Sequence, residues 1–442
     1  MKNILAAIVI FAAVTLANAQ SELVTPFFND LFQTSYLNPA TVPDHNVSFG
    51  LPGMSSIQMQ LIHNGFVLNS AINGNTLSAQ KLLDNTFNKN MLHLHADIDF
   101  LHFRIRIDNN FFWLGIRQRH NMSFFYPREL VELAVKGNAH LVGNHLDMSA
   151  FGINADVHRE YTVGMARAVD DWHFGARISF LHGLSTVYMN PDVLELHVLD
   201  DMYVHALNSD AVFYSAGIPF DNDVDNKWVT NHLSRIRNPG FAIAYGADYR
   251  IDDQWNLIFS VSDLGFIRWS DNTRNYKVNG SSTFKGLDVL AGFLGGKEVD
   301  IEEVFDDIVD DLNGEEFEGA FTTWLSPRFT VAAHYRLNGN TTLRAGFYGI
   351  HNRHFYPAFS IGGMYQFSKL FTIAANASIN QKSFSNLGLG FVFNPGPVQF
   401  FIMTDNFLTP IVAPASVTNV NFRFGLNFVL KHDHVEIEPV EI

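Results

Sequence analysis

Four residues in one short run could act together on an ion: His93, His95, Asp97 and Asp99. In an extended chain successive side chains point to opposite faces, so residues two apart stand in one row. Two imidazoles followed by two carboxylates form a donor set that a zinc-like divalent ion accepts. The same row is equally what lines the polar interior of a barrel, where such residues occur without any metal. A second group is basic. Arg104 and Arg106 share a face, Arg117 and Arg119 share a face of the following run, and Asp108 and His120 stand nearby. Rings of one charge sign set anion selectivity in a pore. The competing reading is a salt-bridged wall in which lumenal Asp and Glu neutralise these arginines.

Other candidate chemistry is sparse. Residues 300–318 are strongly acidic, and Val304, Phe305, Ile308, Val309 and Leu312 recur at helical spacing, which predicts an amphipathic helix over 299–312, a lid or docking surface. Its carboxylates do not follow a calcium-loop pattern. There is no G-x-S-x-G, no H-E-x-x-H and no phosphate-binding glycine loop. Nothing points to catalysis or to a cofactor. With no cysteine, disulfides and thiolate metal sites are excluded.

The elements that must position these residues are a long series of alternating runs. In Asn421–Leu430, Phe422, Phe424, Leu426, Phe428 and Leu430 share one face, while Asn421, Arg423, Gly425 and Asn427 share the other. A soluble sandwich turns such an apolar face inward; a membrane barrel turns it out to lipid. Leu92, Leu94, Ala96, Ile98 and Phe100 repeat the pattern, and the phase then flips to Leu101, Phe103, Ile105 and Ile107, the mark of a bulge. Tight turns at Asp108-Asn109-Asn110, Asp170-Asp171, Asp252-Asp253, Asn338-Gly339-Asn340, Ser368-Lys369 and Asn394-Pro395-Gly396-Pro397 join these runs. With the last strand ending in the periplasm, the last five of these turns fall on that side. The long connections 185–240 and 270–320, and shorter ones near His351 and Thr409, then fall outside. Outer-membrane barrels sort their loops in this way, whereas a sandwich has no reason to. Short helices are expected at 77–88 and 127–136, the second with Pro127 at its first position and Gly137 as its stop.

The totals agree. Lys2, the apolar run Ile4–Leu16 and Ala17-Asn18-Ala19 read as a secretory signal peptide cleaved after Ala19. Aromatic residues make up 14% of the chain, 41 of them Phe, as lipid-facing positions and interfacial girdles would require. A formal charge of −15 argues against nucleic acid as a partner.

Several segments also carry a resemblance. Asn38-Pro39-Ala40 resembles the entry motif of fatty-acid-transporter-type (FadL-like) barrels and of barrels in the Bacteroidota gliding and secretion apparatus. Pro127-Arg128-Glu129-Leu130, Ser262-Asp263-Leu264-Gly265-Phe266 and Gly396-Pro397-Val398-Gln399-Phe400 with Thr404-Asp405-Asn406 are together similar to a Bacteroidota outer-membrane barrel family of unknown function. That family implies no functional residues. The wider group implies a barrel and an N-terminal segment inserted in its lumen.

The expectation is therefore an all-β transmembrane antiparallel barrel of 14–16 strands. A signal peptide at 1–19 precedes an N-terminal segment 20–44 in the lumen, the barrel spans 45–430, and a periplasmic tail covers 431–442. The resemblance favours an outer-membrane channel for hydrophobic or small solutes. The small lumen residues Gly346, Gly362, Gly388 and Gly390 fit that reading. The size of the outer loops favours the rival, a structural barrel that binds protein partners at its loops or periplasmic face.

Overall fold

The computed structural model describes residues 22–65, 76–137, 141–199, 205–218, 236–284, 314–380 and 383–430, with positions 69, 72 and 73. The signal-peptide segment, the helix expected at 299–312 and the tail 431–442 lie outside the described residues.

Fourteen antiparallel strands close into one barrel. They are β1 (Val47–Gly50 continued by Ser56–His63), β2 (Lys89–Ile107), β3 (Asn110–Pro127), β4 (Gly152–Val169), β5 (Trp172–Met189), β6 (Asn238–Arg250) and β7 (Trp255–Trp269). The second half comprises β8 (Arg328–Asn338), β9 (Thr341–Asn352), β10 (His354–Ser368), β11 (Phe371–Asn380), β12 (Ser383–Phe393), β13 (Val398–Thr404) and β14 (Asn419–Leu430). Closure comes from β14 lying against β1, with Phe428 opposite Phe49 and Phe424 opposite Ile57. A closed sheet leaves no unpaired strand edge, the condition for crossing a bilayer with strands.

Alternation decides which face is which. On β2, His95, Asp97, Asp99, His102 and Arg104 are buried inside, while Leu94, Phe103 and Ile107 are exposed outside. The ladder between β2 and β3 shifts register between Asp99 and Leu101, where the sequence changes phase. Asp108 and Asp170 take φ of 53° and 51°, the left-handed conformation that two-residue hairpin turns need and Asp tolerates.

Aromatic pairs ring both ends of the outer face. Trp172 stacks on Tyr249 at 4.4 Å and Trp255 lies 4.8 Å from Tyr335 near the short turns. Phe266 meets Trp324 at 5.6 Å near the opposite end. From Trp255 to Phe266, a tilted strand rises about 25–30 Å along the barrel axis. That is the height of an apolar membrane band.

The described parts of the long connections include further sheet. β5 continues beyond the barrel rim into pairing with His205–Ala216, which pairs in turn with Thr273–Phe284 and with Val193–Val198. His145–Asp147 adds one more strand beside Val193–Val198. Three expectations need adjustment. The helix expected at 77–88 is only α2, Ala79–Asp84 (α1 is Thr34–Leu37): Ser78 caps its start by accepting from the Lys81 N–H, and the Asn85 side chain closes its end on the Lys81 carbonyl. The helix expected at 127–136 is α3, Arg128–Lys136, with Pro127 as its extended cap rather than its first residue and Gly137 at φ 71° stopping it. The connection near His351 is a tight turn about Arg353, whose φ is 56°.

Candidate functional site

A barrel of eight strands is filled by its own side chains, and a wider one leaves a channel unless something occupies it. Here the N-terminal segment does. Leu23, Val24, Phe27, Phe28, Leu31 and Phe32 are all buried. Val24, Phe27, Phe28 and Leu31 pack on Val392, Phe401 and Met403 of the wall, and Phe32 and Tyr36 on Phe111 and Trp113. The wall is thinned where the segment presses closest. A Cβ on Gly390 would sit 2.7 Å from both Phe28 and Val24, and one on Gly388 2.5 Å from Val24. Small lumen residues here are seats for the plug.

The Asn38-Pro39-Ala40 motif is seated in the same way. A Cβ on Gly175 would strike the Pro39 backbone at 2.2 Å, and one on Gly246 the Asn38 side chain at 2.0 Å. Asn38 Oδ1 accepts from the Ala40 N–H, folding the turn, and Asn38 Nδ2 donates to Asp248 at 2.7 Å. Other polar anchors hold the rest. Asp405 accepts the backbone N–H groups of Glu22 and Val24 at 2.7 and 2.8 Å, Arg344 donates to the Pro26 carbonyl, and Arg177 to the Tyr36 carbonyl. These bonds satisfy backbone groups that no strand or long helix would satisfy.

Beside the plug lies a buried ion-pair cluster. Arg117 donates to Glu160 at 2.6 Å, and Arg119 to Asp97 at 3.3 Å and Asp263 at 3.0 Å. Asp263 also meets Arg177 at 3.1 Å and Arg328 at 3.2 Å. Glu22 of the plug joins through Arg423 at 3.2 Å and Arg328 at 3.7 Å. Five guanidinium groups thus face four carboxylates, close to neutrality. Arg117 also lies over the Tyr36 ring, 4.1 Å from its centroid.

Asp263 reaches the centre of this cluster because of a bulge. The β6–β7 register shifts so that Ser262 and Asp263 together oppose the single residue Ala244, and Asp263 takes φ 59°. Both residues then turn inward and the strand phase flips, a known use of a bulge to re-aim a side chain. The sequence carries a signal for it: Trp255, Leu257, Phe259 and Val261 are in one phase, Leu264 and Phe266 in the other. Single-strand patterns do not single out Asp263, Glu160, Arg177 and Arg328, and they place Arg423 inward without its partner, because the partners lie on other strands or in the plug.

The four basic candidates separate. Arg117 and Arg119 are in the cluster. Arg106 lies at the turn end, donating to the Asp108 carbonyl at 3.0 Å. Arg104, 1% exposed, lies between Phe32 and Trp113, 5.0 and 5.7 Å from their ring centroids. None of its guanidinium nitrogens has a hydrogen-bond partner among the described residues. No ring of like charge joins these residues.

The histidine–carboxylate row also divides. His93 bonds Ser123 at 2.9 Å, and His95 bonds Asn121 at 2.8 Å and meets Asp97 at 3.2 Å. Asp99 accepts from Gln33 of the plug at 3.4 Å. Glu22, His95 and Asp97 come within ligand distance of one another. Both carboxylates already pair with arginines, so a cation there would face guanidinium groups.

Between plug and wall runs a crevice bordered by His93, Ser260, Arg328, Arg344, Tyr348 and Tyr356. Its cavity volume is about 60 Å³.

The chain belongs to a family of unknown function (DUF5723), whose match covers residues 39–405. No functionally curated protein matches it. Among solved structures it is similar to the toluene transporter TbuX of Ralstonia pickettii, at 11% identity and a TM-score of 0.44 over 91% of this chain and 95% of that one. The toluene transporter TodX of P. putida gives 10% and 0.43, over 90% and 93%. A FadL homologue of Pseudomonas aeruginosa gives 10% and 0.40, over 94% and 98%.

Proposed function

We propose that the chain is an outer-membrane channel for hydrophobic or small solutes, closed at rest by its own N-terminal segment. One observation carries this reading: the lumen is filled by a segment separate from the wall. Residues 22–45 contribute no strand. Side-chain contacts, the Glu22 ion pairs and separate hydrogen bonds hold them, so they can shift without breaking a strand ladder. The apolar outer belt meets lipid, the short turns face the periplasm and the long connections face outward. Planar-bilayer conductance of the full chain and of a variant lacking Glu22–Thr34 tests the idea. Low conductance in the first and a clear rise in the second is expected; no conductance and no solute uptake in either would sink it.

A second reading, a barrel serving as an adaptor, is favoured by the sheet of Val193–Val198, His205–Ala216 and Thr273–Phe284 that projects beyond the rim. Purification from native membranes discriminates. A large stoichiometric partner supports the adaptor, and a lone barrel supports the channel.

A further inference from the structure

Away from the lumen, the sheet at the loop end gathers a second set of metal-ligand side chains. His145–Asp147 and Val193–Val198 pair antiparallel, with His145 opposite His197 and Asp147 opposite Glu195. Directly opposed residues share a face, and so do residues two apart on one strand. Both rules place His145, Asp147, Glu195 and His197 on the same side. The intervening Leu146 and Leu196 point the other way and are buried with Met148 and Val198, against Leu133 of α3. A slip of one residue would bring the four polar groups into that apolar core, so the register is fixed.

We propose that His145 and His197, with Glu195 and Asp147 beside them, bind a divalent transition-metal ion of the zinc or copper kind. The two imidazole rings lie 5.5 Å apart between centroids, inclined by 29°. Nε2 of His197 stands 3.6 Å from Oε2 of Glu195. Two ligands at about 2.0–2.1 Å from a tetrahedral ion are separated by roughly 3.4 Å, so this pair already has the spacing of atoms sharing one metal. Asn208 donates to Glu195 at 3.2 Å, the outer contact that orients a ligating carboxylate. The Ser149 N–H donates to Asp147 at 2.9 Å and orients that carboxylate. The nitrogen donors select the metal class. Calcium and magnesium take oxygen ligands, whereas imidazole suits zinc, copper and nickel. Unlike the lumenal Glu22–His95–Asp97 group, no arginine is ion-paired to these carboxylates among the described residues.

The test uses the full chain in detergent, titrated calorimetrically with Zn²⁺ alone. His145→Gln and His197→Gln are compared singly and together, with His351→Gln as control, and heat-modifiable gel migration verifies that each variant is folded. One site is expected in the native chain, weakened about tenfold or more by either substitution, since even outer partners of a metal site contribute that much. The control should bind as the native chain does. Cu²⁺ should report nitrogen coupling from two imidazoles by electron paramagnetic resonance, and from one fewer in each single variant. Equal Zn²⁺ binding by the native chain and the folded double variant overturns the proposal, as does a native Cu²⁺ spectrum without nitrogen coupling.

Discussion

Replacing Asp263 by Asn should destabilise the barrel by about 3–5 kcal/mol, the cost of removing one partner from a buried ion pair. The structure supports the upper part of that range. Asp263 is 4% exposed and lies 3.0, 3.1 and 3.2 Å from Arg119, Arg177 and Arg328. Glu160 and Asp97 remain to neutralise the cluster in part, and Arg328 keeps some access to solvent, which holds the loss below a sum over three pairs. Asn preserves the volume and tolerates the left-handed backbone of the bulge, so charge is the main change. Urea unfolding in liposomes, read by tryptophan fluorescence and heat-modifiable migration, should show the folding constant falling by two to about three and a half decades. Asp171→Asn is the internal control: its pair with Arg250 at 2.9 Å is exposed and should matter by less than about 1 kcal/mol. Removing Arg119 as well, as Asp263→Asn with Arg119→Gln, should recover part of the loss by deleting one surplus charge. A loss in Asp263→Asn no larger than in Asp171→Asn would refute the reasoning, since the cluster would then be hydrated and screened.

Two further substitutions probe the other faces. Phe428→Asp places a charge on the outer belt and removes a ring stacked 5.0 Å from Phe49, so the folded, heat-modifiable band should be lost; normal folding would overturn the lipid-facing assignment. Arg104→Met should leave the urea midpoint unchanged or raise it, because it removes a buried guanidinium with no hydrogen-bond partner among the described residues and keeps the packing between Phe32 and Trp113. A loss above about 2 kcal/mol would reveal a partner for that guanidinium.

The wall follows from local sequence pattern. Period-two alternation, Asp and Asn at the tight turns and a phase flip after Phe100 are properties of adjacent residues, and hairpins pair adjacent runs. Those features suffice for strand identity, facing and a count whose lower value is the observed fourteen. The lumen was decided by the tertiary structure alone. Arg119 meets Asp263 across 144 positions of chain, and Arg423 meets Glu22 across 401. Which lumenal side chains confront one another depends on strand tilt and on the accumulated register around the closed barrel, which no single strand encodes. Gly388 and Gly390 illustrate the difference: alternation placed them inside, but only the folded chain gave their smallness a purpose, as room for Val24 and Phe28. The histidine row behaves likewise. The spacing of His93, His95, Asp97 and Asp99 put all four on one lumenal face, and the partners arriving from β3 and the plug gave each a separate task.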